Sequence, residues 1–199
     1  MRFDIHRRVS ALARWFILSL LIGIGGGLRA GESEPLVSFI NDVAPVLTKA
    51  GCNTGVCHAK AGGGQNGFQL SLLGFEPLDD YEHMALEGRG RRLSPASPEQ
   101  SLLLQKVSGR TPHGGGIRLE PDSEGYAVLR RWIAQGAPLG PPQDVQLVSL
   151  EVQPSEGLLD RGAQQTLKVL ARYSDDSVRD VTRLALYESN DRAMLEVSE

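Results

Sequence analysis

Cys52-Asn53-Thr54-Gly55-Val56-Cys57-His58 is the stretch on which the fold and its chemistry turn. Two cysteines are followed at once by a histidine, the grouping that covalent haem attachment needs. Each thiol adds to one vinyl group of the porphyrin to form a thioether, and the adjacent imidazole is delivered to the iron as proximal ligand. Such motifs usually separate the cysteines by two residues; here four intervene, and Gly55 in their middle allows the longer loop to bulge. Two other readings stay open at these residues. In an oxidising compartment Cys52 and Cys57 could form a small-loop disulfide, and with His58 and a second histidine they could hold zinc, although zinc sites normally show a further ligand pair.

Working outward, the flanking segments predict short amphipathic helices. Leu36, Phe39, Ile40, Val43, Val46 and Leu47 recur at helical spacing before Cys52, with Pro45 expected to kink or restart the helix. Ser97-Pro98-Glu99-Gln100 has the form of a capping box with proline at the first helical position, followed by Leu102, Leu103, Leu104 and Val107 and stopped by Gly109. Asp122 or Ser123 is expected to cap a third helix that places Tyr126, Leu129, Trp132 and Ile133 on one face and ends at Gly136. The glycine-rich stretch from Ala61 to Gly67 predicts a flexible loop, and it lacks the Gly-Lys-Ser/Thr ending of a phosphate loop. So few apolar side chains in about 100 residues make a marginal core, which a cofactor or cross-link would support.

Beyond the Pro/Gly cluster from Gly136 to Pro142 the periodicity changes. Val145 to Val152 and Leu167 to Tyr173 alternate, Ser174-Asp175-Asp176-Ser177 supplies a turn, and Val178, Val181, Leu184, Leu186, Met194, Leu195 and Val197 suggest further short strands. This pattern predicts a β-sandwich. Only four or five of its roughly seven strands are accounted for by Glu199, so the last domain is expected to be incomplete. The expected fold class is therefore α + β in separate domains, a small all-α domain followed by an incomplete sandwich. The expected boundaries are a leader over 1–30, the helical domain over 31–138, a linker over 139–145 and the sandwich over 146–199.

Of 199 residues, 41% are hydrophobic and 6% aromatic, which suits a globular chain and excludes a collagenous or multi-span membrane protein. The net charge of −3 divides unevenly: five arginines and one aspartate give residues 1–30 a charge of +4, while 16 basic and 23 acidic residues give 31–199 a charge of −7. The basic start, with Arg2, Arg7, Arg8 and Arg14 before the apolar run from Trp15 to Leu28, has the layout of a secretory signal with cleavage after Ala30. Export to the periplasm or cell surface follows. An uncleaved leader would instead anchor the chain to a membrane through residues 15–28, although 14 apolar residues are short for a span of about 20. The acidic remainder offers no basic patch for nucleic acid.

Residues 36–138 resemble the cytochrome c-like domain of large secreted proteins of planctomycete-type bacteria. The likeness lies in Phe39-Ile40-Asn41-Asp42-Val43-Ala44-Pro45-Val46-Leu47, in Gly67-Phe68-Gln69-Leu70-Ser71-Leu72-Leu73-Gly74-Phe75, and in Leu129 to Pro138 as the closing helix. Residues 145–199 are similar to a bacterial immunoglobulin-like domain of the second group, through Leu167 to Tyr173 and Ser174 to Thr182. The resemblance implies a haem module on a secreted scaffold, with one covalent haem c and a redox partner protein whose identity is unknown.

For the sixth iron ligand the resemblance points to His113, in Thr111-Pro112-His113-Gly114-Gly115-Gly116, where such relatives often place methionine. Imidazole there would give bis-histidine iron and a lower potential than methionine ligation. Met84 and His83 are the rivals, and an open iron is the remaining case. His113-Gly114-Gly115-Gly116 also resembles an esterase oxyanion-hole motif, but the chain has no Gly-x-Ser-x-Gly nucleophile elbow. Asp79-Asp80 and Asp175-Asp176 are expected in turns or caps, and Arg89-Gly90-Arg91-Arg92 in a solvated loop able to pair haem propionates. The expected function is electron transfer by an exported c-type haem protein rather than catalysis by the chain alone. The alternative is a non-redox surface module carrying a Cys52–Cys57 disulfide.

Overall fold

Pro45 sets the geometry of the first helical segment in the computed structural model, which describes residues 34–55, 57–141 and 145–198. The expected leader lies outside the described residues. Phe39–Val43 forms a single π-helical turn capped by Ser38, whose hydroxyl accepts from the Asn41 N–H at 3.1 Å. The chain then enters α1 (Ala44–Lys49), where Pro45 stands in the first turn and its missing N–H costs no hydrogen bond. Restarting the helix here keeps Phe39, Val43, Val46 and Leu47 all buried. It also delivers Cys52 one turn after the helix end.

Next, α2 (Pro77–Tyr81) runs on through a π-helical turn at Glu82–Leu86 that buries Met84. The second expected helix starts later than the capping box suggested. Pro98–Gln100 is only a 3₁₀ turn, Ser97 makes no side-chain cap, and α3 is Leu102–Val107. The hydroxyl of Ser101 instead accepts from the Ser94 N–H at 2.9 Å, so the proline turn is a separate step in the chain. Gly109 does follow the helix end, at φ +73°. α4 (Glu124–Ala134) is capped by Ser123 and buries Tyr126, Leu129, Trp132 and Ile133, the expected face.

These helices meet around Phe39, whose ring lies 5.3 Å edge-on from Tyr81 and 5.6 Å from Trp132. The segment after α4 turns back and closes the core through three carbonyls. Trp132 Nε1 donates to Pro138 O (2.7 Å), Tyr81 Oη to Ala137 O (3.0 Å) and the Phe39 N–H to Leu139 O (2.8 Å).

The second part is a three-stranded antiparallel sheet in the order β1 (Leu147–Gln153), β2 (Lys168–Tyr173), β3 (Val178–Asp180). Leu150 pairs with Ala171 and Val152 with Val169 across β1 and β2. The Ser174–Ser177 turn joins β2 to β3 as expected, with the Tyr173 N–H donating to Ser177 O at 3.0 Å. The further strands expected around Leu184, Leu186, Met194, Leu195 and Val197 are not formed; among the described residues the sheet ends at Asp180. Without pairing partners the later segment turns on itself, Leu184 and Ala185 donating to Val181 O. The architecture is thus mixed, helices first and a small antiparallel sheet after. From Pro35 onward the chain forms one unit. Its halves are tied by an Arg179–Asp42 ion pair, by Asn41 Nδ2 donating to Val145 O (2.7 Å) and by Lys49 Nζ donating to Ala185 O (2.9 Å). Among the described residues no helix is long and apolar enough to cross a membrane.

Candidate functional site

A cavity of about 860 Å³ opens inside the helical part, and Cys52, Cys57, His58, Met84 and His113 all line it. That volume lies in the range of small-molecule and cofactor sites, about 300–1,000 Å³. The loop that carries the cysteines is closed by its own backbone: the Cys52 N–H donates to Leu47 O (2.9 Å), the Cys57 N–H to Thr54 O (3.3 Å) and the His58 N–H to Cys52 O (3.1 Å). Gly55 stands at φ +50°, so the two residues beyond the usual spacing are absorbed where the absence of a Cβ makes it inexpensive.

After His58 the chain makes a parallel bridge, with the Leu70 N–H donating to His58 O (2.7 Å) and the Lys60 N–H to Leu70 O (2.8 Å). The glycine-rich stretch between them is a formed turn rather than an open loop, since Gln65 and Phe68 exchange both backbone hydrogen bonds. That turn places the Phe68 carbonyl 3.3 Å from His58 Nδ1 and the Phe68 ring 4.7 Å from the imidazole. Buried Asp80 anchors the far end by accepting from both the N–H and the hydroxyl of Ser71. The pair Asp79-Asp80, expected in a turn or cap, therefore belongs to α2, and one member is a buried tether.

His113 approaches from the loop between α3 and α4. Its Nδ1 lies 3.0 Å from Gly116 O, and a Cβ at Gly115 would come within 3.0 Å of the imidazole Cε1, which gives that glycine a steric reason. The rings of His58 and His113 have centroids 6.2 Å apart and planes within 6° of parallel. Each Nδ1 is turned to a backbone carbonyl, so each ring keeps its Nε2 lone pair for another partner.

Burial holds the His58 pKa below its ordinary value, opposed by the Phe68 carbonyl and reinforced by His113 and Arg92. The ring therefore stays neutral, and able to bind a metal, at lower pH than a free histidine. Cys52 is buried and its thiol is pushed up to about 11 by that burial, although the Arg118 guanidinium draws it down. Cys57 is more open, with Arg118 Nη2 at 3.9 Å from its Sγ. Both are free thiols in this structure. Among the described residues no group of three or more His, Cys, Asp or Glu is arranged to hold a metal ion, which leaves the zinc reading without a ligand set.

The rival ligands part company. Met84 lines the same cavity, while His83 faces a small separate pocket with its Nδ1 2.8 Å from Asp79 O. The basic cluster also divides. Arg92 is not in a solvated loop: it is buried, donates to His83 O, Glu87 O and the Glu87 carboxylate, and stacks 4.8 Å over Phe68. Phe68, Lys106 and Arg118 are site residues that local patterns did not single out for a role, because their relation to His58 and Cys57 exists only in the folded chain.

Two imidazoles and two thiols, set beside an apolar wall that includes Leu47, Met84 and Leu103, form a donor set that fits a covalently held haem. Compared with family models, with curated proteins and with solved structures, the chain matches none.

Proposed function

We propose that this chain is an exported c-type haem protein that passes single electrons to and from a partner protein. The reading rests above all on one observation: His58 and His113 stand parallel, 6.2 Å apart, in the cavity that both cysteines line. Cys52 and Cys57 would hold the porphyrin by thioethers, and His58 and His113 would ligate the iron, with Met84 the nearest alternative to His113. When bound, haem supplies a one-electron redox centre. The chain's own residues do the rest. Phe68 O and Gly116 O fix the two imidazole tautomers, burial keeps His58 neutral, and the apolar wall limits water around the centre.

The proposed organisation is a leader over 1–30, a cytochrome c-like domain over 31–138, a linker over 139–145 and an immunoglobulin-like domain from 146. The covalent claim is tested by producing the protein in a host with haem-attachment machinery and measuring its mass and its thiols. One added haem, with both cysteines unreactive before and after reduction, is expected. A chain of unmodified mass that gains two reactive thiols only on reduction would instead identify a surface module with a disulfide.

A further inference from the structure

The cavity wall has an unusual charge. Its lining holds four cations, Arg91, Arg92, Lys106 and Arg118, and no carboxylate, although residues 31–199 carry 23 acidic against 16 basic side chains. Arg92 is accounted for by Glu87 and three carbonyls. The other three have no carboxylate partner among the described residues: Lys106 donates only to Pro112 O, and Arg118 reaches only the Cys57 sulfur. Such charges beside an apolar wall favour an amphiphile with an apolar body and anionic arms, since opposite charge and charge-assisted hydrogen bonds are strongest where water is partly excluded.

We infer that Arg91 and Lys106 form a clamp for the two carboxylates of the cavity's ligand. The inference rests on the haem reading above, and it assigns those two side chains to the propionates. Arg118 is set apart by chemistry and position. It lies against Cys57, and in a thioether-bound haem the thiols mark the vinyl edge, across the macrocycle from the propionates. Neither Arg91 nor Lys106 contacts either thiol among the described residues.

The test uses the full chain produced without attachment machinery, titrated separately with haemin and with haemin dimethyl ester, in which both carboxylates are capped. The quantity read is the ratio of the two dissociation constants. Haemin is expected to bind more tightly by about tenfold for each carboxylate held. Arg91→Gln and Lys106→Gln should each remove about a tenfold share of that ratio while leaving ester binding in place, and Arg118→Gln should leave the ratio intact.

A ratio near one in the unmodified chain overturns the clamp but leaves the haem reading standing, as does a ratio that falls only in Arg118→Gln. If neither compound binds, the haem reading itself fails and the clamp with it. Should a glutamine variant lose ester binding too, the cavity has been disturbed, and Arg91→Lys with Lys106→Arg decide: retention of the ratio supports the clamp, and its loss with ester binding preserved overturns it.

Discussion

The helical and sheet parts of this chain spend their apolar residues differently. Around Phe39 and Trp132 every large side chain of the α4 face is buried, and the loops that follow α1 and α3 bring His58 and His113 to the cavity. In the sheet, Val169, Ala171 and Tyr173 of β2 are buried, while every residue of β1 is exposed, Val148 to 63%. Stability is thus concentrated where the site is, and the sheet edge contributes little to it.

The sharpest way to break that contrast is Trp132→Ala, which removes the largest buried ring and its hydrogen bond to Pro138 O. A loss of about 3–5 kcal/mol is expected in urea unfolding followed by circular dichroism. A loss below about 1 kcal/mol would mean that the helical part is not organised around this residue. Next comes Asp80→Ala. It leaves the buried N–H and hydroxyl of Ser71 without their acceptor and should cost about 2 kcal/mol, an effect that Asp80→Asn should partly restore. Equal, negligible losses in both variants would remove Asp80 as the tether of the His58 loop.

A smaller effect concerns pH in the haem-free chain. The folded-state pKa of His58 is depressed, so the unfolded chain takes up this proton first as the solution is acidified. Stability should therefore be level above the ordinary histidine range and fall as pH drops below about 6.5, until the folded pKa is passed. Comparing wild type with His58→Gln in urea unfolding at several pH values isolates that slope, and identical pH profiles would remove it. The smallest effect is expected at Leu150→Thr on exposed β1, within about 0.5 kcal/mol. A large loss there would show that the sheet edge is a stabilising element after all.

The same contrast explains what could be read from the sequence. Tyr126, Leu129, Trp132 and Ile133 were legible because a helix with one buried face writes its 3.6-residue period directly into the chain. Val145 to Val152 also alternates, but in β1 that alternation does not map onto burial, because neither face is covered. The apolar residues after Val181 looked like strands, yet pairing is decided by neighbours in space, and they found none. The capping box at Ser97 had the right letters, but the chain makes a proline turn there and starts α3 at Leu102.

At the site, the Cys-His grouping was visible because its chemistry depends on adjacency. The facing of His113 and His58, 55 positions apart, depends on how two loops cross one cavity. So do the Phe68 carbonyl on His58, the burial of Arg92 and the place of Lys106 in the cavity wall; the basic cluster around Arg91 was visible locally, but not that Arg91 and Lys106 have no carboxylate partner among the described residues.

The central claim is that one haem sits between His58 and His113, and the absorption spectrum of the exported protein, oxidised and reduced, tests it most directly. A Soret band with the low-spin pattern of two strong axial ligands in both states, turning high-spin in His113→Ala but not in His83→Ala, is expected. No Soret band, or a low-spin spectrum that survives His113→Ala unchanged, would contradict it.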